Sequence, residues 1–403
     1  MDVAVINLLI QVAFRFKEAL FSPLMLIMLL VIGYQYWRLA RAAIPERQWA
    51  IWVGLRLTLV AILSGIAIGV LGSLILVITG VNVAATGLVW LWLVALVLML
   101  ASPRYLCFAY AGGLVGMVNL LTGWPNMEVN QLMILIATLH LLEALLIYTV
   151  GARAAMPTFI RNQQGQVVGG FTLQQFWPLP LVAVISGNPA GVMPVFPAWW
   201  PLFASGAEAL QLIGVLAVLG YAEITTTDSP VLRTHRSAIN LMAYSLVLLI
   251  LALLSYQLPG LMWLAVIFAP LGHELVIYLG LQREEQGSPR WAPVQCGVRL
   301  LWVIPSSPAQ RAGLQSGDII NSIDGKIINA PTDLNQALSE GGRVVALVAN
   351  REGQEMAFLL RRKHRQPIGI LLIPEAGASG SYLMRPITWF HLLLPLRTHK
   401  TAG

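Results

Sequence analysis

Long apolar runs dominate the first 281 residues of this 403-residue chain and rule out an ordinary soluble fold. Eight candidates fall near residues 21–38, 55–79, 84–101, 103–121, 131–151, 205–222, 237–257 and 260–281. A helix of about 20 such residues covers the hydrocarbon core of a bilayer, about 30 Å. Composition agrees: 57% of residues are hydrophobic, 11% are charged, and the mean hydropathy is +0.74. The expected fold class is a polytopic α-helical membrane bundle of about eight spans, give or take two, over residues 21–281.

Two segments break the pattern. Residues 1–20 read as an amphipathic helix, with Ile6, Leu9, Ile10 and Phe14 on one face and Arg15, Lys17 and Glu18 at its end. It either lies in the interface or forms the first turns of a long tilted span. Its apolar start precedes these charges instead of following a basic region, so no cleaved signal peptide is expected. Residues 161–205 open with a polar stretch at 162–165 and continue through GGFTLQQFWPLP at 169–180 to Pro194, Pro197, Trp199, Trp200 and Pro201. Prolines at this density preclude a regular helical span, and belt aromatics suit a segment that is interfacial or re-enters the membrane.

Basic residues near span ends favour the cytoplasm. Arg38, Arg41, Arg47 and Arg56 follow the first span, and Arg233 and Arg236 precede the seventh. A strict count of eight puts these two loops on opposite sides, so one candidate span does not cross or the 161–205 segment adds a crossing. Residues 282–403 hold 14 basic and 9 acidic residues, a balance suited to the anionic cytoplasmic leaflet.

Polar side chains inside apolar runs are costly unless paired. His140 and Glu143 share a helical face, and His273 is followed by Glu274. A zinc peptidase helix needs His-Glu-x-x-His, but position 277 is Ile. His140/Glu143 is expected to be a buried pair that fixes helix packing, with an ion or proton path and a metal site as the alternatives, and His273/Glu274 an interfacial pair at the span end; no catalytic residue, metal or cofactor is expected. Cys107 and Cys296 lack ligand spacing and read as small buried hydrophobes. Ala61, Gly65, Gly69 and Ser73 recur every fourth residue, as do Gly112 and Gly116, a spacing that allows close packing within a bundle.

After a linker at 282–293, residues 294–375 change character, and 376–403 read as a poorly ordered tail. Val298–Ile304 reads as a strand ended by Pro305. Ser306-Ser307-Pro308-Ala309 opens a short helix, with serine as a cap, proline early in the first turn and Gly313 at its close. A strand at Ile319–Ile323 ends in the Asp324-Gly325 turn, a helix follows at Pro331–Leu338, and strands at Arg343–Ala349 and Glu355–Leu360 complete a small β-barrel with two helices.

The run Ser307, Pro308, Ala309, Ala312, Gly313, Leu314, Gly317, Asp318, Ile320, Ile323, Asp324 and Gly325, at these spacings, closely resembles the PDZ family. That resemblance implies binding of an extended peptide beside a helix, with its terminal carboxylate held by backbone amides. In the circularly permuted bacterial type, the carboxylate loop follows the last hairpin. Here it would comprise Ile368, Gly369 and Ile370, with Leu334 and Leu338 lining the groove. Gly297-Val298 is a competing candidate for the loop, and a vacant groove with a purely structural last strand remains an alternative.

A multi-span domain ending in such a module, with the 169–180 segment and the His273-Glu274 span end, resembles the MinJ-like division-site proteins of Gram-positive bacteria. The resemblance implies a non-enzymatic adaptor in the bacterial plasma membrane, with its PDZ domain cytoplasmic and enrichment at septum and poles. It would bridge a DivIVA-like polar scaffold to a MinD-like division inhibitor, touch membrane lipid and no nucleic acid, and self-associate as an option. The rival readings are a PDZ adaptor in secretion or envelope signalling and a site-2-type intramembrane metalloprotease. The protease reading lacks its second His, and the PDZ domain follows every span instead of interrupting them.

Overall fold

The computed structural model describes residues 3–44, 46–161, 166–187, 197, 200, 210–363 and 366–374. The expected tail at 376–403, and Pro194, Trp199 and Pro201 of the aromatic segment, lie outside these residues.

The membrane domain begins with α1 (Val3–Leu20) and α2 (Pro23–Ala43), which the Ser22 side chain separates by accepting the Met25 N–H at 3.2 Å as a helix cap. There follow α3 (Arg47–Thr79), α4 (Leu88–Ala101), a 3-10 turn (Pro103–Leu106), α5 (Phe108–Thr122) and α6 (Val129–Val150). Three strands come next, β1 (Ala155–Arg161), β2 (Val167–Ser186) and β3 (Leu210–Thr225), before α7 (Pro230–Leu254) and α8 (Leu261–Gln286).

Among the described residues five helices, α2, α3, α6, α7 and α8, are long and apolar enough to cross a membrane. The eight candidates of the sequence differ from these helices at three places. The third and fourth candidates are the helices α4 and α5, of 14 and 15 residues, which fold back on each other so that Trp90 and Trp124 meet with ring centroids 4.6 Å apart. Pro103 follows the extended Ser102 and turns the chain. The sixth candidate, 205–222, is no helix where it is described: 210–225 is β3, paired antiparallel with β2 along sixteen residues from Leu210 to Thr225.

The 167–186 part of the aromatic segment is the central strand β2, which runs beside α3. Beyond Leu173, where β1 stops, one edge of β2 faces helices instead of a strand. Alternate residues aim their backbone polar groups at that edge, and each unmet group in an apolar setting costs several kcal/mol by transfer estimates of about 2–7 kcal/mol. The chain removes or satisfies them in turn. The Phe176 N–H donates to the Tyr36 hydroxyl at 3.1 Å, Pro178 and Pro180 have no N–H, the Val182 N–H donates to Ser73 Oγ at 2.9 Å, and the Ser186 N–H donates to Asn82 Oδ1 at 3.3 Å. A Cβ on Gly65 or Gly69 would collide with the carbonyl oxygen of Pro178 or Pro180. The stripe of small residues therefore receives a strand edge.

Helix α1 covers the sheet through Ala4, Leu8, Val12 and Ala19, with Leu8 and Val12 sharing a cluster with Val182, Val184 and Leu212. Its expected apolar face (Ile6, Leu9, Ile10, Phe14) stays exposed.

The C-terminal domain comprises β4 (Val298–Val303), α9 (Pro308–Arg311), β5 (Ile319–Ile323), β6 (Lys326–Ile327), α10 (Pro331–Glu340), β7 (Val344–Arg351), β8 (Gln354–Arg361) and β9 (Ile370–Leu372). The sheet order is β8-β7-β5-β4-β9, with β6 paired to β5. This corrects the expected barrel: β8 and β9 lie at opposite edges, so the sheet is open. Leu300, Ile320, Leu334, Val345, Leu347 and Leu360 fill its core.

The domain is seated on the membrane domain. The Gly169 N–H donates to the Trp291 carbonyl at 2.8 Å, and the Arg290 N–H to the Thr226 carbonyl at 2.8 Å. Leu301, Ile304 and Ile373 join the membrane domain's own core. The turn between α2 and α3 reaches this same end of the bundle, where Trp49 approaches Gly369. Both basic loops thus lie on the side of the C-terminal domain, because β2 and β3, like α4 and α5, return to the side they left. Arg233 is buried and bonded to Glu223 at 2.6 Å, and Arg236 is paired with Asp228.

Candidate functional site

The Ser-Pro-Ala run builds a support before it builds a site. Ser307 caps α9 by accepting the Gln310 N–H at 3.2 Å, and Pro308 occupies the first helical position. From this fixed turn the Ala309 N–H donates to the Ile368 carbonyl at 2.9 Å, and the Ile304 N–H to the Gly369 carbonyl at 2.9 Å. Gly369 has φ 80°, and any Cβ there would strike Ser307 Cβ. The loop before β9 is therefore held in place by the motif. Gly313 (φ 93°) and Gly317 (φ 99°) make the turns that bring Leu314 into the core and Asp318 to Arg351. The Asp318 carboxylate is buried, accepts two Arg351 N–H groups at 2.7 Å each and takes the Gln315 N–H at 2.8 Å. This contact pushes the Arg351 guanidinium further above its ordinary value.

Between α10 and β9 lies a cavity of 190 Å³. Leu334, Leu338, Ile368, Gly369 and Ile370 all line it. The competing Gly297 does not: a Cβ there would press on Ile319 and Ile320 of β5. Among the described residues β9 pairs only with β4, so its outer edge faces the cavity with its backbone groups available to an added strand. Arg362 bonds the carbonyls of Leu338 and Gly341, the latter at 2.9 Å, at the end of α10.

One wall was not foreseen. Ala43 and Glu46, from the turn between α2 and α3, also line the cavity. Glu46 Oε2 is buried without a hydrogen-bond partner among the described residues. The run of arginines around this turn marked it only as a basic loop. Nothing in the local sequence told that it would reach a domain some 300 residues later.

Within the membrane domain, the paired reading of the polar residues is corrected. His140 and Glu143 share a face of α6, but His140 bonds elsewhere: its Nδ1 lies 2.8 Å from the Ile136 carbonyl and its Nε2 3.0 Å from Cys107 Sγ. His273 Nε2 lies 3.6 Å from the same sulfur. Glu274 accepts the Tyr110 hydroxyl at 2.6 Å and pairs with Arg104 at 3.1 Å. Cys107, read as a small hydrophobe, sits between two imidazoles. Its neighbours Arg104 and Tyr105 in an otherwise apolar run were the sequence signal.

A family model for the PDZ domain matches residues 300–351. The cell division topological determinant MinJ of Bacillus subtilis is 24% identical over 257 residues, covering 59% of this chain and 63% of its own length. A probable MinJ of Lacticaseibacillus paracasei is 24% identical over 335 residues, covering 78% of this chain and 85% of its own. Serine protease HTRA1 of Xenopus tropicalis is 38% identical over 67 residues, 17% of this chain and 15% of its own. The likeness to a protease is thus short and local, whereas the likeness to the division determinants extends well beyond the PDZ domain.

Proposed function

From the premise of a MinJ-like membrane protein that ends in a PDZ domain, we propose that this chain is a non-enzymatic, multi-pass adaptor that places cytoplasmic proteins at the bacterial division site. The observation that carries the reading is the groove between α10 and the outer edge of β9, set directly on the membrane domain. A peptide adding to that edge gains main-chain hydrogen bonds, while Leu334, Leu338 and Ile370 offer apolar contacts to alternate side chains. The Ile368, Gly369 and Ile370 loop receives its terminus.

The partners are a DivIVA-like polar scaffold and a MinD-like inhibitor, as resemblance to the family implies, and the groove takes one of them. The PDZ domain is cytoplasmic. The basic α2–α3 turn lies on its side of the bundle, in keeping with the preference of arginine for that side.

The test is photo-crosslinking in growing cells from a reactive residue at Leu338, with the fluorescently tagged chain imaged in parallel. Adducts with a division protein and a signal concentrated at septa and poles are expected. A uniform membrane signal, or adducts only with secretion or envelope-signalling proteins, rejects the division role.

A further inference from the structure

We propose that Cys107, His140 and His273 bind a zinc ion that clips α5, α6 and α8 together at the tip of the α4–α5 hairpin. The three ligand atoms come from three separate segments: the residue capping α5, the middle of α6, and α8 just past its internal Pro270. All lie within 4.8 Å of one another. A tetrahedral zinc, with bonds of about 2.0–2.3 Å, holds neighbouring ligand atoms about 3.3–3.6 Å apart. Of the two sulfur–nitrogen separations, 3.6 Å lies at the upper end of that range and 3.0 Å just below it.

The proton count is the second, independent observation. His140 Nδ1 faces the Ile136 carbonyl, which only accepts, so Nδ1 carries the proton and Nε2 offers a lone pair to Cys107. The Tyr110 hydroxyl donates to Glu274, so its oxygen accepts from His273 Nδ1 at 3.3 Å, and His273 Nε2 likewise offers a lone pair. Two nitrogen lone pairs therefore meet one sulfur, whose single S–H can satisfy one of them. A cation resolves the arrangement: zinc takes both nitrogens and displaces the thiol proton. Both imidazoles already have the outer hydrogen bonds that orient metal-binding histidines. Thiolate with imidazole is a donor set for zinc and not for magnesium or calcium.

The neighbourhood fits a clip. Tyr244 of α7 packs edge-on against both rings, at centroid distances of 5.5 and 5.7 Å, and donates its hydroxyl to the Ala269 carbonyl at 2.8 Å. Gly113 of α5 lets the Pro270 ring of α8 approach, since a Cβ there would lie 2.5 Å from Pro270 Cδ. A tetrahedral ion with three protein ligands keeps one position for water or a fourth donor, and Glu143 lies one turn along the His140 face of α6.

The full chain, purified in detergent without chelator or affinity-tag histidines, tests this by elemental analysis. About one zinc per chain is expected, retained in Cys296→Ser and lost in Cys107→Ser and in His273→Ala. Reconstitution of the metal-depleted chain with Co²⁺ alone gives a thiolate-to-cobalt charge-transfer band, which Cys107→Ser removes. Because cobalt is read on the unsubstituted chain, a variant that fails to fold does not decide the matter. Absence of both zinc and the cobalt band in the unsubstituted chain overturns the proposal, as does zinc that follows Cys296 instead of Cys107.

Discussion

Ser307 and Gly369, 62 positions apart, are so closely packed that no side chain fits between them. The serine belongs to the sequence motif and the glycine to the loop beside the groove. The contact explains how the motif turn can shape the groove without lining it.

Substituting Gly369 tests that contact. Gly369→Ala places a Cβ at φ 80° and against Ser307, a backbone penalty of about 1–3 kcal/mol before the collision is counted. Partner capture by the full chain is expected to fall at least tenfold with membrane insertion unchanged. Capture at the unsubstituted level would show that the loop is not part of the site.

Glu46 gives the groove a negative wall supplied by the membrane domain. Glu46→Gln removes repulsion toward a peptide carboxylate, and a charge pair a few ångströms apart near a protein surface is worth about 1–4 kcal/mol. Tighter binding of a peptide ending in a free carboxylate, about threefold or more at low salt and less at high salt, is expected for the full chain by fluorescence titration. Equal affinities would mean that this turn leaves the groove when a ligand enters.

Asp318 is buried against Arg351. Asp318→Ala leaves the guanidinium without its partner and the Gln315 N–H without its acceptor, at a cost of about 2–4 kcal/mol. Pulse proteolysis of the full chain should show cleavage in the 298–372 region at lower denaturant. Because Asp318 lies outside the groove lining, resistance equal to that of the native chain would remove it from the account of stability.

Arg233 and Glu223 allow a double-substitution cycle. Arg233→Met alone strands a carboxylate that otherwise takes Arg233 and the Ser237 hydroxyl, a loss of about 3–5 kcal/mol. Arg233→Met with Glu223→Met should recover most of it in thermal unfolding of the solubilised chain. Additive losses would show that the two residues stabilise independently.

Gly65 and Gly69 test the seat of β2 on α3. Gly65→Val or Gly69→Val pushes a side chain into the Pro178 or Pro180 carbonyl, and overpacking of this kind costs about 1–3 kcal/mol or more. Lower yields of monodisperse protein are expected. The same substitution at exposed Leu63, on the outer face of α3, should leave the yield intact.

The helices were legible because apolar length decides membrane crossing, and α2, α3, α6, α7 and α8 all coincide with long apolar runs. The PDZ motif was legible because its glycines mark backbone conformations open to few other residues: Gly313, Gly317 and Gly325 all have positive φ. Residues 210–225 misled because a largely apolar run suits a strand as well as a helix, and its partner β2 carries the prolines and aromatics that read as an interfacial segment. Cys107 misled because a lone cysteine carries no ligand spacing, and its polar neighbours Arg104 and Tyr105 mark the turn without telling which histidines it meets.

What this chain's sequence determined alone are properties local to each segment: membrane affinity, the capped turn at Ser307, and the left-handed glycines. Tertiary structure decided which distant groups meet. It placed Glu46 and Trp49 beside Gly369, a strand edge on the Gly65 and Gly69 stripe, and Cys107 between His140 and His273. The physical reason is that local steric and transfer preferences act over a few residues. Convergence across 33 or 166 positions arises only when packing and the need to satisfy buried polar groups act on the whole chain.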